Sequence, residues 1–172
     1  MPRYIAFLRG VSPMNLKMPD LKAALEAAGF ANVKTLLSSG NVAFDARKAT
    51  PASLEAKIEK AVAAKTGKYF LTLVRSQEAL NALLEADAFA KFKLKPGEKK
   101  VVTFLREPPE AVLKLPVEKD GGRILALKGR EAFTVYMPGH PKGPTFMGTL
   151  ERAFGKDITT RTWDTVRKCA AA

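Results

Sequence analysis

Two short stretches and one distant arginine carry the residue types that can hold an anion. Arg9 follows the apolar run Tyr4–Leu8, Asn15 and Lys17 lie in the segment after it, and Ser39, Gly40 and Asn41 sit together in the run SSGN. A guanidinium and an ammonium supply charge, hydroxyl and amide groups supply directed hydrogen bonds, and glycine lets a backbone approach a ligand closely. Brought together, these groups would suit a phosphate or a carboxylate. The plainer reading gives Gly10 and Gly40 to turns, lets Ser39 or Asn41 close local hydrogen bonds, and leaves Arg9 solvated or paired. Arg161, with Trp163 and Arg167 close in sequence, is a second candidate. A basic aromatic surface can stack on a base, although a tryptophan at helical spacing more often anchors a core.

Other residues offer less. The densest basic run, Lys91, Lys93, Lys95, Lys99 and Lys100 in AKFKLKPGEKK, could contact phosphates without reading sequence, but it reads first as a solvated linker. His140, in PGHPKGP, has no identifiable partner for acid–base work, and Cys169 is nucleophilic only beside a group that lowers its pKa. One histidine and one cysteine exclude a multi-His or multi-Cys zinc site within the chain. There is no P-loop, no GxGxxG after a strand and no GxSxG elbow. Tyr4, Phe7 and Phe44 would stack RNA bases on a suitable sheet, but SSGNVAFD lacks the dense aromatic pattern of RNA-recognition strands, so packing explains these rings. These residues assign no catalytic group, no metal and no cofactor, and they do not decide whether the chain is an enzyme.

The elements that must position the candidates follow from local patterns. Tyr4–Leu8 reads as a strand covered on both faces. Pro19 and Asp20 open a helix carrying Leu21, Ala24, Leu25 and Ala28, which Gly29 stops. The segments 33–37 and 41–44, around Ser38-Ser39-Gly40, read as a hairpin. Thr50 and Pro51 start a helix bearing Leu54, Ile58 and Val62 that ends near Gly67, and residues 69–74 form a fourth strand. In the resulting β-α-β-β-α-β order the end of the first strand faces the start of the third, so Arg9-Gly10 should approach Ser39-Gly40-Asn41. The next helix starts at the same edge and adds free backbone N–H groups.

Beyond a helix at 76–84 and the lysine-rich bridge, the chain predicts a strand at 101–105, a short helix at 109–113 and a hairpin from 124–127 and 133–137. A helix at 146–154 and a last one from Thr162 follow. This partly repeats the first order. The predicted class is α+β, with a ferredoxin-like βαββαβ half over 1–75, a helix and basic linker over 76–100, and a second, partly similar half over 101–172.

With 29 Lys and Arg against 17 Asp and Glu in 172 residues, the net charge of +12 attracts polyanions at low salt. The lone cysteine rules out an intrachain disulfide, and the longest N-terminal apolar run is too short for a signal core or membrane span, so a reducing, cytoplasmic setting without membrane partner is expected.

The segments RYIAFLRGV with NLKMPDLKAALEAAGF, VKTLLSSGNVAF and DITTRTWDTVRKC together resemble a bacterial family, domain of unknown function 1697, across nearly the whole chain and most strongly over 3–45 and 157–169. The resemblance implies an α+β fold with two subdomains of ferredoxin-like flavour and supplies no activity or catalytic residue. Many members follow LRG with a glycine-rich turn, where this chain has Val11-Ser12-Pro13-Met14-Asn15. The leading expectation is a non-catalytic module for an anionic partner, nucleic acid foremost. The alternatives are an enzyme or sensor for a small phosphorylated or carboxylated ligand, and a protein-interaction or homo-oligomeric module.

Overall fold

A computed structural model describes residues 1–109, 114–142 and 146–172. The chain forms two compact units, one of Met1–Leu84 with Arg167–Ala172, the other of Glu85–Val166.

The first unit begins with β1 (Arg3–Leu8), α1 (Met18–Ala27), β2 (Ala31–Leu36) and β3 (Asn41–Asp45), followed by α2 (Pro51–Thr66), β4 (Thr72–Ser76) and α3 (Gln77–Ala86). Its sheet runs β2-β3-β1-β4 with every neighbouring pair antiparallel. Local chemistry sets the helix ends. Thr50 Oγ1 accepts the Ser53 N–H at 3.2 Å, Pro51 opens α2, and Gly67, left-handed at φ 73°, closes it. Pro19 stands in the first turn of α1, and Gly29 follows its end with φ 94°. Leu21, Ala24 and Leu25 of α1 and Leu54, Ile58 and Val62 of α2 pack on Tyr4, Ala6, Leu8, Val42, Phe44 and Val74. Tyr4, Phe7 and Phe44 are all buried, so packing holds these three rings.

The fourth strand starts at Thr72, three residues later than expected. Tyr69 is exposed and belongs to the connection, where its hydroxyl donates to Glu59 Oε2 at 2.9 Å. Glu59 and the buried Glu55 treat β4 alike: Thr72 N–H donates to Glu59 Oε2 (3.0 Å) and Val74 N–H to Glu55 Oε2 (2.9 Å). β4 is an edge strand, and these amides are the ones not turned toward β1. Four residues of helix rise about 6 Å and two residues of strand about 7 Å, so carboxylates at i and i+4 match amides at j and j+2.

The last residues close this unit. Arg3 Nε donates to the Ala172 carbonyl (2.8 Å) and Arg3 Nη1 to Asp45 Oδ1 (2.9 Å), while Gln77 Nε2 donates to the Ala170 carbonyl (2.8 Å).

The second unit contains a 3₁₀ turn (Ala88–Lys91), β5 (Lys99–Leu105), β6 (Val117–Lys119), β7 (Gly122–Lys128) and β8 (Glu131–Tyr136), then α4 (Phe146–Phe154), β9 (Ile158–Thr162) and the start of α5 (Trp163–Ala170). The expected helix at 109–113 lies almost wholly outside the described residues. The sheet order is β6-β7-β8-β5-β9. Apart from β6, this is the order of the first sheet: β7, β8, β5 and β9 stand where β2, β3, β1 and β4 stand, with α4 placed as α2 is and α5 as α3 is. The echo seen in the sequence is therefore one of strand pairing.

The strand β9 escapes the sequence reading because its threonines read as helix caps. Both roles occur: Thr159, Thr160 and Thr162 pair with β5, and Thr162 Oγ1 also accepts the Thr165 N–H at 3.2 Å to cap α5. One sheet face carries Phe133, which packs with Phe89 and Trp163; the Phe89 and Trp163 ring centroids are 5.1 Å apart. Trp163 is thus a core anchor. The lysine-rich bridge is folded onto the unit: Glu98 receives both Arg123 Nε (3.0 Å) and Nη2 (2.6 Å), and its Oε1 accepts Lys95 N–H (2.6 Å). Arg123 beside it holds the Glu98 carboxyl below the usual carboxylate range against the opposing effect of burial.

Candidate functional site

The two turns predicted to meet do meet. Leu8 N–H donates to the Gly40 carbonyl at 2.8 Å, and Phe7 stands opposite Asn41 in the β1–β3 register. A side chain at Gly40 would place Cβ 2.9 Å from Val11 Cβ and 3.1 Å from Leu8 Cβ, and its φ is 86°. The hairpin of β2 and β3 therefore fits against the β1–α1 loop only because residue 40 has no side chain.

The polar candidates at this edge serve different ends. Asn15 donates through Nδ2 to the Gly10 carbonyl (2.7 Å) and accepts Ser12 N–H at Oδ1 (2.8 Å), closing the loop between β1 and α1. Asn41, buried, donates through Nδ2 to Ser39 Oγ (3.0 Å) and the Leu36 carbonyl (3.1 Å), closing the hairpin. Arg9 is half-buried, and its backbone N–H donates to the Leu71 carbonyl at 2.8 Å. Arg161 belongs to the second unit, where Nη1 donates to Thr159 Oγ1 (2.8 Å) and the Thr160 carbonyl (2.9 Å). Asn15, Asn41 and Ser39 thus build the rim, with these hydrogen bonds directed into the fold.

Lys17 is the predicted residue that brings charge to a cavity, which Asn15 also lines. This lysine is exposed at the start of α1 and lines, with Pro13 to Leu16, Asp20, Lys65, Thr66 and Lys68, a recess of about 310 Å³. Lys68 Nζ donates to the Asn15 carbonyl at 3.4 Å, tying the α2–β4 connection to the β1–α1 loop. Lys65 also borders a groove between α1 and α2, together with Lys57, Lys60 and a floor of alanines that includes Ala24, Ala28 and Ala61. The acids of α2 that could offset this charge, Glu55 and Glu59, are turned onto β4. Lys65 and Lys68 were missed in the sequence reading, yet a signal existed: β4 runs antiparallel to β1 with Thr72 opposite Leu8, so the α2–β4 connection has to lie beside the β1–α1 loop.

Cys169 is buried, and His140 Nδ1 accepts Lys142 N–H (3.1 Å). Among the described residues there is no group of three or more His, Cys, Asp or Glu placed to hold a metal ion, and no helix long and apolar enough to cross a membrane.

The family model described as "Protein of unknown function (DUF1697)" matches residues 1–133. The chain belongs to this family. A search of curated proteins found no match. Among solved structures, the DUF1697 chain is similar to the conserved bacterial protein SP0830 from Streptococcus pneumoniae, with 21% identity, a TM-score of 0.70, and coverage of 99% of this chain and 97% of the other. At that identity the likeness establishes the α+β fold of the DUF1697 chain over its full described length.

Proposed function

We propose that this protein is a non-catalytic module that binds nucleic acid through phosphates on the lysine-lined outer face of α1 and α2. The observation that carries the reading is the placement of Lys17, Lys65 and Lys68 around one recess, continued by Lys57 and Lys60 along the adjoining groove. An extended row of ammonium groups suits a polyanion. The start of α1 does not supply the free N–H groups expected of it, because Pro19 has none and the Asp20 N–H donates to the Lys17 carbonyl at 3.0 Å. Asp20 opposes this charge within the recess. On this reading the lysines contact phosphates rather than base edges, so binding is indifferent to sequence. A buried thiol outside any disulfide accords with a reducing, cytoplasmic setting.

The test is binding of single- and double-stranded oligonucleotides across a salt series. Affinity should fall steeply with salt. The quadruple variant K17Q/K60Q/K65Q/K68Q should weaken binding and lower the log–log slope by about one for each phosphate that is no longer neutralised. Failure to retain any oligonucleotide at low salt would sink the proposal. The size of the recess supports a second reading, an enzyme or sensor for a small phosphorylated or carboxylated ligand. In that case K17Q, K65Q and K68Q abolish binding of the small anion while K60Q leaves it unchanged.

A further inference from the structure

The second unit's sheet has a face that changes character along its length. At one end Leu105, Ile124, Ala132 and Ile158 pack against Phe146 and Leu150 of α4. Two residues further along lie Thr103, Thr134 and Thr160, and four residues further Val101 and Thr162; the register sets Val101 between Thr134 on β8 and Thr162 on β9, with Thr160 beside Thr103. This end borders a pocket of about 280 Å³, bounded also by Tyr136, Met137, Phe146 and Met147. In the first unit two helices, α1 and α2, contribute to the core on the corresponding face; in the second, among the described residues, α4 is the helix packed there.

The walls indicate the chemistry of an occupant. Two aromatic rings and two thioethers favour a flat aromatic body, since methionine sulfur adapts to and attracts ring edges. Thr160 Oγ1 is 3.1 Å from Thr103 Oγ1, and Thr162 Oγ1 caps α5, so both hydroxyls are engaged. Thr134 differs: its Oγ1 is buried and has no hydrogen-bond partner among the described residues. A buried hydroxyl without a partner is destabilising, and a suitable group would relieve that cost. The hydroxyl is shielded from solvent, and a turn of χ1 by about 120° would carry it to the next staggered position on Cβ. Among the described residues, the lining holds the carboxylate of Asp120, in the turn between β6 and β7, and no Lys, Arg or His, so a bound anion would lose hydration without a counter-charge from them. Gly122 completes the shape: a Cβ there would lie 2.5 Å from the Phe146 ring, so only glycine lets that ring lie flat on β7.

We infer that this pocket is a binding site for a compact, neutral aromatic molecule with one hydrogen-bonding group, which reaches Thr134. The test uses full-length protein with ¹³C-methyl methionine, titrated with phenol, toluene, benzylamine and benzoate. Phenol should shift the Met137 and Met147 resonances saturably, with a dissociation constant of roughly millimolar, and leave Met1, Met14 and Met18 in place. Thr134→Val, nearly isosteric, should weaken phenol about three- to tenfold and leave toluene within about twofold. Absence of saturable shifts at Met137 and Met147 with phenol would overturn the site. Preference for benzoate or benzylamine, or equal phenol binding by T134V, would overturn the assigned ligand chemistry.

Discussion

Replacing Glu55 by alanine should expose how the edge strand of the first sheet is protected. Glu55 is buried and accepts the Val74 N–H at 2.9 Å. Truncation leaves that amide buried and unbonded, at a cost of about 1–3 kcal/mol, and removes the packed methylenes; alanine's better helix propensity returns only a few tenths. A net loss of about 2 kcal/mol should lower the urea midpoint by on the order of 1 M and the melting temperature by about 4–8 °C. Glu55→Gln retains an acceptor oxygen and should lose less than half as much. Circular dichroism in urea measures the first quantity, and amide exchange at Val74 localises it: exchange should quicken in E55A and stay near native in E55Q. The E55A/E59A pair would also bare Thr72 N–H, and an edge with two unbonded amides invites pairing with a second chain, visible as concentration-dependent light scattering. If Val74 keeps its protection in E55A and stability moves by less than about 0.5 kcal/mol, Glu55 does not cap the edge.

Two further outcomes follow from geometry already described. Asn32, whose Nδ2 donates to Asp45 Oδ2 at 2.7 Å, and then Arg3 hold the Asp45 carboxyl below its ordinary value, as Arg123 does for Glu98. Each such acid contributes stability that is full above its unfolded pKa and lost as pH falls through its lower folded pKa, so acid titration of Asp45→Asn or Glu98→Gln should show a flatter loss below about pH 4 than the parent. Gly40→Ala combines φ 86° with close contacts to Val11 and Leu8 and should cost about 1–3 kcal/mol by urea unfolding, with Leu8 amide exchange quickened.

What was legible in the sequence divides by range. The ends of α2 were readable because Thr50, Pro51 and Gly67 act within one turn of themselves, and the meeting of the two loops at Gly40 followed from strand order alone. The polar groups at that meeting were harder: Asn15 and Asn41 are donors by residue type, and only coordinates show their amides directed to Gly10, Leu36 and Ser39. The convergence of Lys17 with Lys65 and Lys68 joins segments almost fifty residues apart, so it became visible only through the pairing of β4 with β1. Tyr69 misled because an aromatic residue favours strands in general, while here Glu59 fixes its hydroxyl outside the ladder.

The hydrogen bonds from Arg3 and Gln77 to the carbonyls of Ala172 and Ala170 have a consequence for biosynthesis. Residues 1–84 leave the ribosome before the whole of the second unit, yet the unit they form includes six residues made after it. The nascent first unit can assemble its four-stranded sheet early, but its closing segment arrives only once residues 85–166 have been synthesised. Vectorial synthesis thus makes the unit begun first the one completed last.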